Sequence, residues 1–426
     1  MDYKKADFFM MILGVALAAA FVISIIRYGK DLEFAAKKVS SIAEIAVPEV
    51  PDVTTKRETG VVSAAEWASY YPDIYESYLK NAENKGHGTG RISYVEANPD
   101  IQVLYDGMAF SFDYTEAIGH NYTLDDIAET TRPHKLANCL TCKTPDFNAM
   151  VNQMGKEVYS TDFESVYGKV SEPVSCYNCH GNTPGKMVIT HDYMAEAMGD
   201  EVEAGKVSAS DISCAQCHIE YYFAPDTKAT TTPYQTLAEM NPDAILKFYN
   251  DMGFTDYTNK NTGVGMIKVQ HPEFETYYGE GSVHKGMYTC ADCHMGVAYN
   301  EKTGDPYANH YIVSPLDNPE LLRGTCALCH SNLKAQVKEI QEKVISRENE
   351  ISALLVQVNT ELAAAVESGR LSEDKLDEIR KLDRDAQFYW DFIFVENAEG
   401  AHNSKLSYEC LDKAEALAKE ALELLK

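Results

Sequence analysis

Basic side chains are scarce in this 426-residue chain: 38 Lys and Arg stand against 65 Asp and Glu, a net charge of −27. That balance excludes nucleic acid as the main partner, because neutralising phosphates takes Lys and Arg. It leaves room for a small anion, since a local field in a cleft can oppose the global one. There is no low-complexity tract and no fixed-length repeat. Charged residues at 24% and hydrophobic ones at 45% are ordinary for a folded protein and exclude wholesale disorder. Between residues 61 and 330 long periodic runs are also missing, which predicts short helices and long loops wrapped around something.

One long apolar run is present, Phe8 to Ile26, with Lys4 and Lys5 before it and Arg27 and Lys30 after it. At 1.5 Å per residue it spans roughly 28 Å, one bilayer core. Residues 1–30 therefore read as a membrane anchor or signal segment, with the anchor favoured. Residues 31–60, with Pro48 and Pro51, read as a linker. After residue 331 the pattern changes. Val337, Ile340, Val344, Ile351, Leu354 and Val358 follow a 3–4 spacing that only Arg347 interrupts, and Leu362 and Val366 continue it to Gly369. A second helix should open at Ser372 and run to about Phe394, and a third should cover about Ser404–Leu425. Their apolar stripe is either core packing or a dimer seam.

Cysteine carries the most information. Ten of the eleven form five C-x-x-C pairs, leaving Cys410, which we expect to be a buried thiol. Four pairs are followed by His: Cys176-x-x-Cys179-His180, Cys214-x-x-Cys217-His218, Cys290-x-x-Cys293-His294 and Cys326-x-x-Cys329-His330. C-x-x-C-H is the attachment motif of c-type haem, with two thiols for the vinyl groups and the adjacent His for the iron. Zinc sites also use C-x-x-C pairs, but they would not require His in fifth position four times. Haem c is attached outside the cytoplasmic membrane, so an exported body follows.

The first pair, Cys139-x-x-Cys142-Lys143, keeps the Cys spacing and puts Lys where His stands in the others. An amine ligates iron only after losing its proton, which burial assists. A fifth haem with this unusual axial ligand is the natural candidate for chemistry rather than relay. The ligand arithmetic agrees. Of 12 His, four belong to the motifs, and eight remain to supply second ligands for four relay haems. The fifth haem can then keep one position open for substrate.

With one C-x-x-C-K ahead of four C-x-x-C-H motifs, the chain resembles the ammonia-forming pentahaem cytochrome c nitrite reductases. Three strings carry the likeness further: Asp126-Ile-Ala-Glu129-Thr-Thr-Arg132, His218-Ile-Glu220-Tyr221-Tyr222-Phe223 and Lys268-Val-Gln270-His271-Pro-Glu. The resemblance implies a mainly α-helical multihaem cytochrome c fold with few strands, short helices and loops around five covalent haems (residues 61–330), and long C-terminal helices (331–426) forming a homodimer interface. It implies reduction of nitrite to ammonium at the haem ligated by Lys143, with Arg132, Tyr221 and His271 on the substrate side. It implies a calcium ion held by the Glu220 and Gln270 side chains and the Tyr221 and Lys268 carbonyls, an all-oxygen set suited to a hard cation. The second axial ligands carried over are His310 for the haem of His180, His120 for that of His218, His402 for that of His294 and His284 for that of His330. His87, His134 and His191 receive no role. The implied electron donor is a membrane-anchored multihaem quinol dehydrogenase, and the implied location is the periplasmic side of the cytoplasmic membrane. The competing functions are an electron-transfer cytochrome without its own substrate, and a multihaem reductase of sulfite or hydroxylamine.

Overall fold

The computed structural model describes residues 41–46, 49–84, 92–133 and 135–426. The anchor expected over residues 1–30 lies outside them. No helix among the described residues is long and apolar enough to cross a membrane.

Up to residue 330 the chain is a succession of short helices joined by loops. The principal ones are α1 (Pro72–Leu79), α2 (Thr123–Glu129), α3 (Pro145–Met154), α4 (Cys176–His180), α5 (Asp192–Glu203), α6 (Ala209–Ala215), α7 (Pro242–Met252), α8 (Glu273–Tyr278) and α9 (Cys290–His294). Local chemistry sets their ends. The Thr144 side chain accepts the Asp146 N–H ahead of α3, whose first residue is Pro145. Asn241 caps α7 by accepting the Ala244 N–H at 3.0 Å, and Gly253 closes it at φ +64°. Among the described residues β structure amounts to three two-stranded antiparallel ribbons. They pair β1 (Tyr222–Phe223) with β2 (Thr230–Thr231), β3 (Tyr257–Thr258) with β4 (Gly265–Met266), and β5 (Val297–Tyr299) with β6 (Pro306–Ala308).

Three long helices follow: α10 (Leu333–Ser368), α11 (Glu373–Phe394) and α12 (Ser404–Leu424). Asn332 caps α10 through the Ala335 N–H, and Gly369 ends it at φ +63°. The apolar stripe of α10 faces inward: Val344, Ile351, Leu355, Val358 and Leu362 are buried with Leu376, Ile379, Leu411 and Ala414 of the other two helices. Within this chain the stripe is therefore core, centred on Leu355 rather than the half-buried Leu354. Polar contacts fix the register: Trp390 Nε1 donates to the Glu348 carbonyl at 3.0 Å, and Arg347 pairs with Asp412 and Glu415 at 3.0 and 2.8 Å.

α11 also binds the body. Arg384 Nε donates to Asn250 at 2.9 Å, and Gln387 Nε2 donates to the Leu104 carbonyl at 3.0 Å. The described part of residues 31–60 is docked as well. Ser41 Oγ reaches Asp292 at 2.9 Å, Arg57 pairs with Glu172 at 3.1 Å, and Thr59 Oγ1 donates to Asp146 at 2.7 Å. Cys410 is buried in the helical core.

Candidate haem sites and substrate pocket

None of the eleven cysteines is paired in a disulfide. The five C-x-x-C pairs lie on or beside short helical turns, which bring both thiols to one side. α4 and α9 begin at Cys176 and Cys290, and Cys214 lies in the last turn of α6. Turn chemistry supports this. Ser175 N–H donates to Asn178 at 3.0 Å, and Asp292 accepts from the Thr289 N–H and hydroxyl at 2.9 and 2.8 Å. Cys217 Sγ lies 3.8 Å from Nε2 of the buried His191.

Each motif histidine faces a second histidine from a distant segment. Ring centres are 6.1 Å apart for His180 and His310, 6.2 Å for His218 and His120, 6.1 Å for His294 and His402, and 6.0 Å for His330 and His284. A metal bonded on each side to an imidazole nitrogen at roughly 2 Å separates the ring centres by roughly 6 Å. The spacing thus fits one iron between each pair. The other ring nitrogen is engaged in most cases. Nδ1 of His180, His294 and His310 lies 2.8, 3.0 and 2.9 Å from the carbonyls of Lys186, Val313 and Ala308. Nδ1 of His330 lies 2.9 Å from Gln336 Oε1, and Nδ1 of His402 lies 2.6 Å from Glu396 Oε1. An acceptor on Nδ1 fixes the tautomer that leaves Nε2 free for a metal. Burial pushes His120, His294 and His310 down to about 4, so these rings are neutral at pH 7.

Lys143 lies in the turn after Cys142. Its N–H donates to the Leu140 carbonyl at 3.0 Å, and its carbonyl accepts from Thr123 Oγ1 at 2.7 Å. Its charge is felt at both His120 and His271. Arg132 is held from two sides: Nε donates to Thr130 Oγ1 at 2.7 Å, and the guanidinium lies 4.5 Å over the Phe110 ring. Thr130 donates in turn to Asp113 at 2.7 Å. The Arg132 charge reaches Tyr221 and Cys139, and the His271 ring centre lies 6.4 Å from that of His218. Burial pushes the Tyr221 hydroxyl well above its usual range, leaving a neutral phenol. Burial likewise pushes His271 down to about 4. Its Nδ1 is buried with no hydrogen-bond partner among the described residues. A buried ring nitrogen without a partner fits a ligand or water supplied from outside. His271 is therefore a neutral imidazole at pH 7, where an unperturbed histidine would titrate.

The residues expected around calcium are adjacent. Glu220 is 1% exposed and accepts the Gln270 N–H at 2.6 Å and the Tyr249 hydroxyl at 2.7 Å, both neutral donors. The Gln270 amide contacts the Lys268 carbonyl at 2.8 Å. Glu275 lies beside Glu220, its Oε1 accepting the Glu220 N–H at 2.8 Å and its Oε2 buried without a hydrogen bond. Burial pushes Glu220 well above the carboxylate range and Glu275 up to about 8. Two enclosed carboxyl groups with no cationic hydrogen-bond donor suit a hard cation with oxygen ligands. No group of three or more His, Cys, Asp or Glu with metal-binding geometry occurs among the described residues, so such an ion would depend on carbonyl and amide oxygens.

His87 and His134 lie outside the described residues. His191 is buried and structural: Nε2 lies 3.0 Å from the Thr141 carbonyl and its N–H donates to Gln216 at 2.9 Å, linking the first and third motifs. Several contributors had no signal in the sequence: Phe110 and Asp113 behind Arg132, Glu273 at 3.8 Å from His218 Nδ1, and Asp391, whose contacts are described below. Glu396 had a faint signal, lying six residues before His402 with a turn between them.

The family model for cytochrome c552 matches residues 63–426. A cytochrome c-552 from Parabacteroides distasonis is 28% identical over 417 residues, covering 92% of this chain and 80% of that protein. One from Aliarcobacter butzleri is 28% identical over 423 residues, covering 92% and 82%. Among solved structures, the catalytic subunit of cytochrome c nitrite reductase from Desulfovibrio desulfuricans superposes with a TM-score of 0.74 at 25% identity, covering 86% of both chains. That protein has two calcium sites.

Proposed function

This chain belongs to the cytochrome c552 family and so carries covalent haem c, and we propose that it reduces nitrite to ammonium at a haem attached to Cys139 and Cys142 with Lys143 as axial ligand. One contrast carries the reading. Each C-x-x-C-H imidazole faces a second imidazole at 6.0–6.2 Å; C-x-x-C-K offers an amine instead, and His271, whose ring centre lies 6.4 Å from that of His218, has an Nδ1 with no partner among the described residues. Four closed sites suit relay and one open site suits a substrate.

The haem, held by Cys139, Cys142 and Lys143, would supply the electrons that reduce the anion. The chain supplies the rest. Nitrite takes up six electrons and eight protons to give ammonium and two waters, so a negative ligand loses both oxygens. Arg132, fixed by Thr130 and Phe110, holds the anion and polarises its N–O bonds. Tyr221, kept as a phenol by burial, donates a hydrogen bond or proton. His271, neutral, accepts and passes on protons instead of adding a second fixed charge. Calcium on Glu220, Gln270 and the carbonyls of Tyr221 and Lys268 would orient the Tyr221 and His271 segments and add positive charge.

In the same reading His180/His310, His218/His120, His294/His402 and His330/His284 hold the relay haems. Electrons come from a membrane-anchored multihaem quinol dehydrogenase on the periplasmic side, with residues 1–30 as the anchor, and two copies associate through the 331–426 helices. Replacing Lys143 with Ala tests the catalytic assignment. We expect loss of nitrite turnover and a changed spectrum for one haem, with four unaltered. Unchanged turnover with an unchanged spectrum contradicts it.

A further inference from the structure

We infer that Asp391, on the long helix α11, is a positioning residue for the pocket, clamping the segment that carries Gln270 and His271. Lys268, Val269 and Gln270 give three consecutive backbone N–H groups to three different carboxylates: Asp256 at 2.9 Å, Asp391 at 2.9 Å and Glu220 at 2.6 Å. The His271 N–H follows, donating to the Ile219 carbonyl at 3.2 Å. Of the three carboxylates, Asp391 alone comes from the C-terminal helices.

Asp391 holds more than one N–H. Lys268 Nζ lies 3.0 Å from both of its oxygens, and the Tyr105 hydroxyl donates to it. The ion pair is fully enclosed, with side chains 2% and 0% exposed. Lys268 Nζ also donates to the Val269 carbonyl at 2.7 Å, tying the side chain back to its own segment. Nζ lies 4.9 Å from the Tyr105 ring centre and 5.9 Å from that of Phe110, the ring under Arg132. One buried pair thus holds the backbone two residues before His271 and lies near the Phe110 ring that carries Arg132.

Buried ion pairs are poor sources of stability, because an apolar replacement of similar volume is often as stable. Their better-attested use is to fix one arrangement among several. Here the arrangement fixed is the placement of Gln270 and His271 against α11.

This inference rests on the nitrite-reducing reading, and the experiment separates the two. Holoprotein carrying D391N is compared with wild type and with D383N. Asp383 is equally buried on the same helix but touches Asn359 rather than the pocket segment. The readouts are haem content, thermal midpoint, kcat and KM for nitrite, and cyanide affinity at the haem attached to Cys139 and Cys142. We expect D391N to retain its haems, lose ~10–100-fold in kcat and shift cyanide affinity, as supporting residues around metal sites do, with D383N like wild type in haem content, kcat, KM and cyanide affinity. Wild-type kcat and cyanide affinity in D391N overturn the inference, and so do equal losses in D391N and D383N. Should D391N not accumulate as holoprotein, Y105F removes one hydrogen bond to Asp391 and keeps the ion pair. A loss of about 5-fold in kcat is then expected, and wild-type kcat overturns the inference. If wild type makes no ammonium from nitrite, the functional reading falls. The clamp is then judged by cyanide affinity alone, a shift supporting it and an unchanged value overturning it.

Discussion

His402 Nδ1 lies 2.6 Å from Glu396 Oε1, and the same imidazole faces His294 with ring centres 6.1 Å apart. The Glu396 side chain is fully buried, so its charge is poorly screened. A carboxylate on Nδ1 makes Nε2 a stronger donor and favours the oxidised metal. E396Q should raise the reduction potential of one haem and leave the others in place. For a one-electron couple each tenfold change in that preference is about 59 mV. Spectroelectrochemical titration checks this; an unmoved set of potentials contradicts it.

Arg132 is stacked as well as charged, so charge alone should not replace it. R132Q is expected to lower nitrite kcat ~100-fold or more, the scale for removing a fixed donor aimed at developing charge. R132K should recover only part, because an ammonium cannot lie flat on Phe110 while donating to Thr130. Steady-state kinetics on variants with full haem content decide it, and full recovery by lysine contradicts the geometry.

Glu220 and Glu275 are enclosed without a cationic hydrogen-bond donor. Holoprotein should therefore contain tightly held calcium. Prolonged chelation should cut nitrite turnover ~10–100-fold, reversibly on adding calcium. E220Q should show the loss without the recovery. Elemental analysis without calcium, together with chelator-insensitive turnover, would contradict the assignment.

Burial pushes Asp383 up to about 8 from a usual 3.8. The folded protein holds this proton where the unfolded chain has released it, so stability falls as pH rises from about 4 through about 8. D383N lacks this proton. Its thermal midpoint should fall less between pH 5 and pH 8 than that of wild type. Parallel declines in calorimetry contradict the assignment.

The haem attachment points were legible because Cys-x-x-Cys is local: one turn of chain decides where both thiols point. The long helices were legible for a similar reason, since a 3–4 spacing and the closing Gly369 are short-range signals. The stripe on α10 was ambiguous because an apolar face does not say what covers it; here it is α11 and α12. Least legible was the scaffold behind the pocket. Asp256, Asp391 and Glu220 meet three successive N–H groups from three remote parts of the chain, and nothing in the spacing of acidic residues distinguishes these from solvated ones. The protonation of His271 was hidden too. Its charge is set by burial, which the string Lys-Val-Gln-His does not encode.

The central claim is that one pocket carries nitrite all the way to ammonium. The direct measurement reduces purified holoprotein chemically, adds nitrite without oxygen, and counts ammonium formed per electron consumed. One ammonium per six electrons is expected, without free nitric oxide or hydroxylamine. Haems that stay reduced in the presence of nitrite would contradict it and leave an electron-relay cytochrome or a reductase of another substrate.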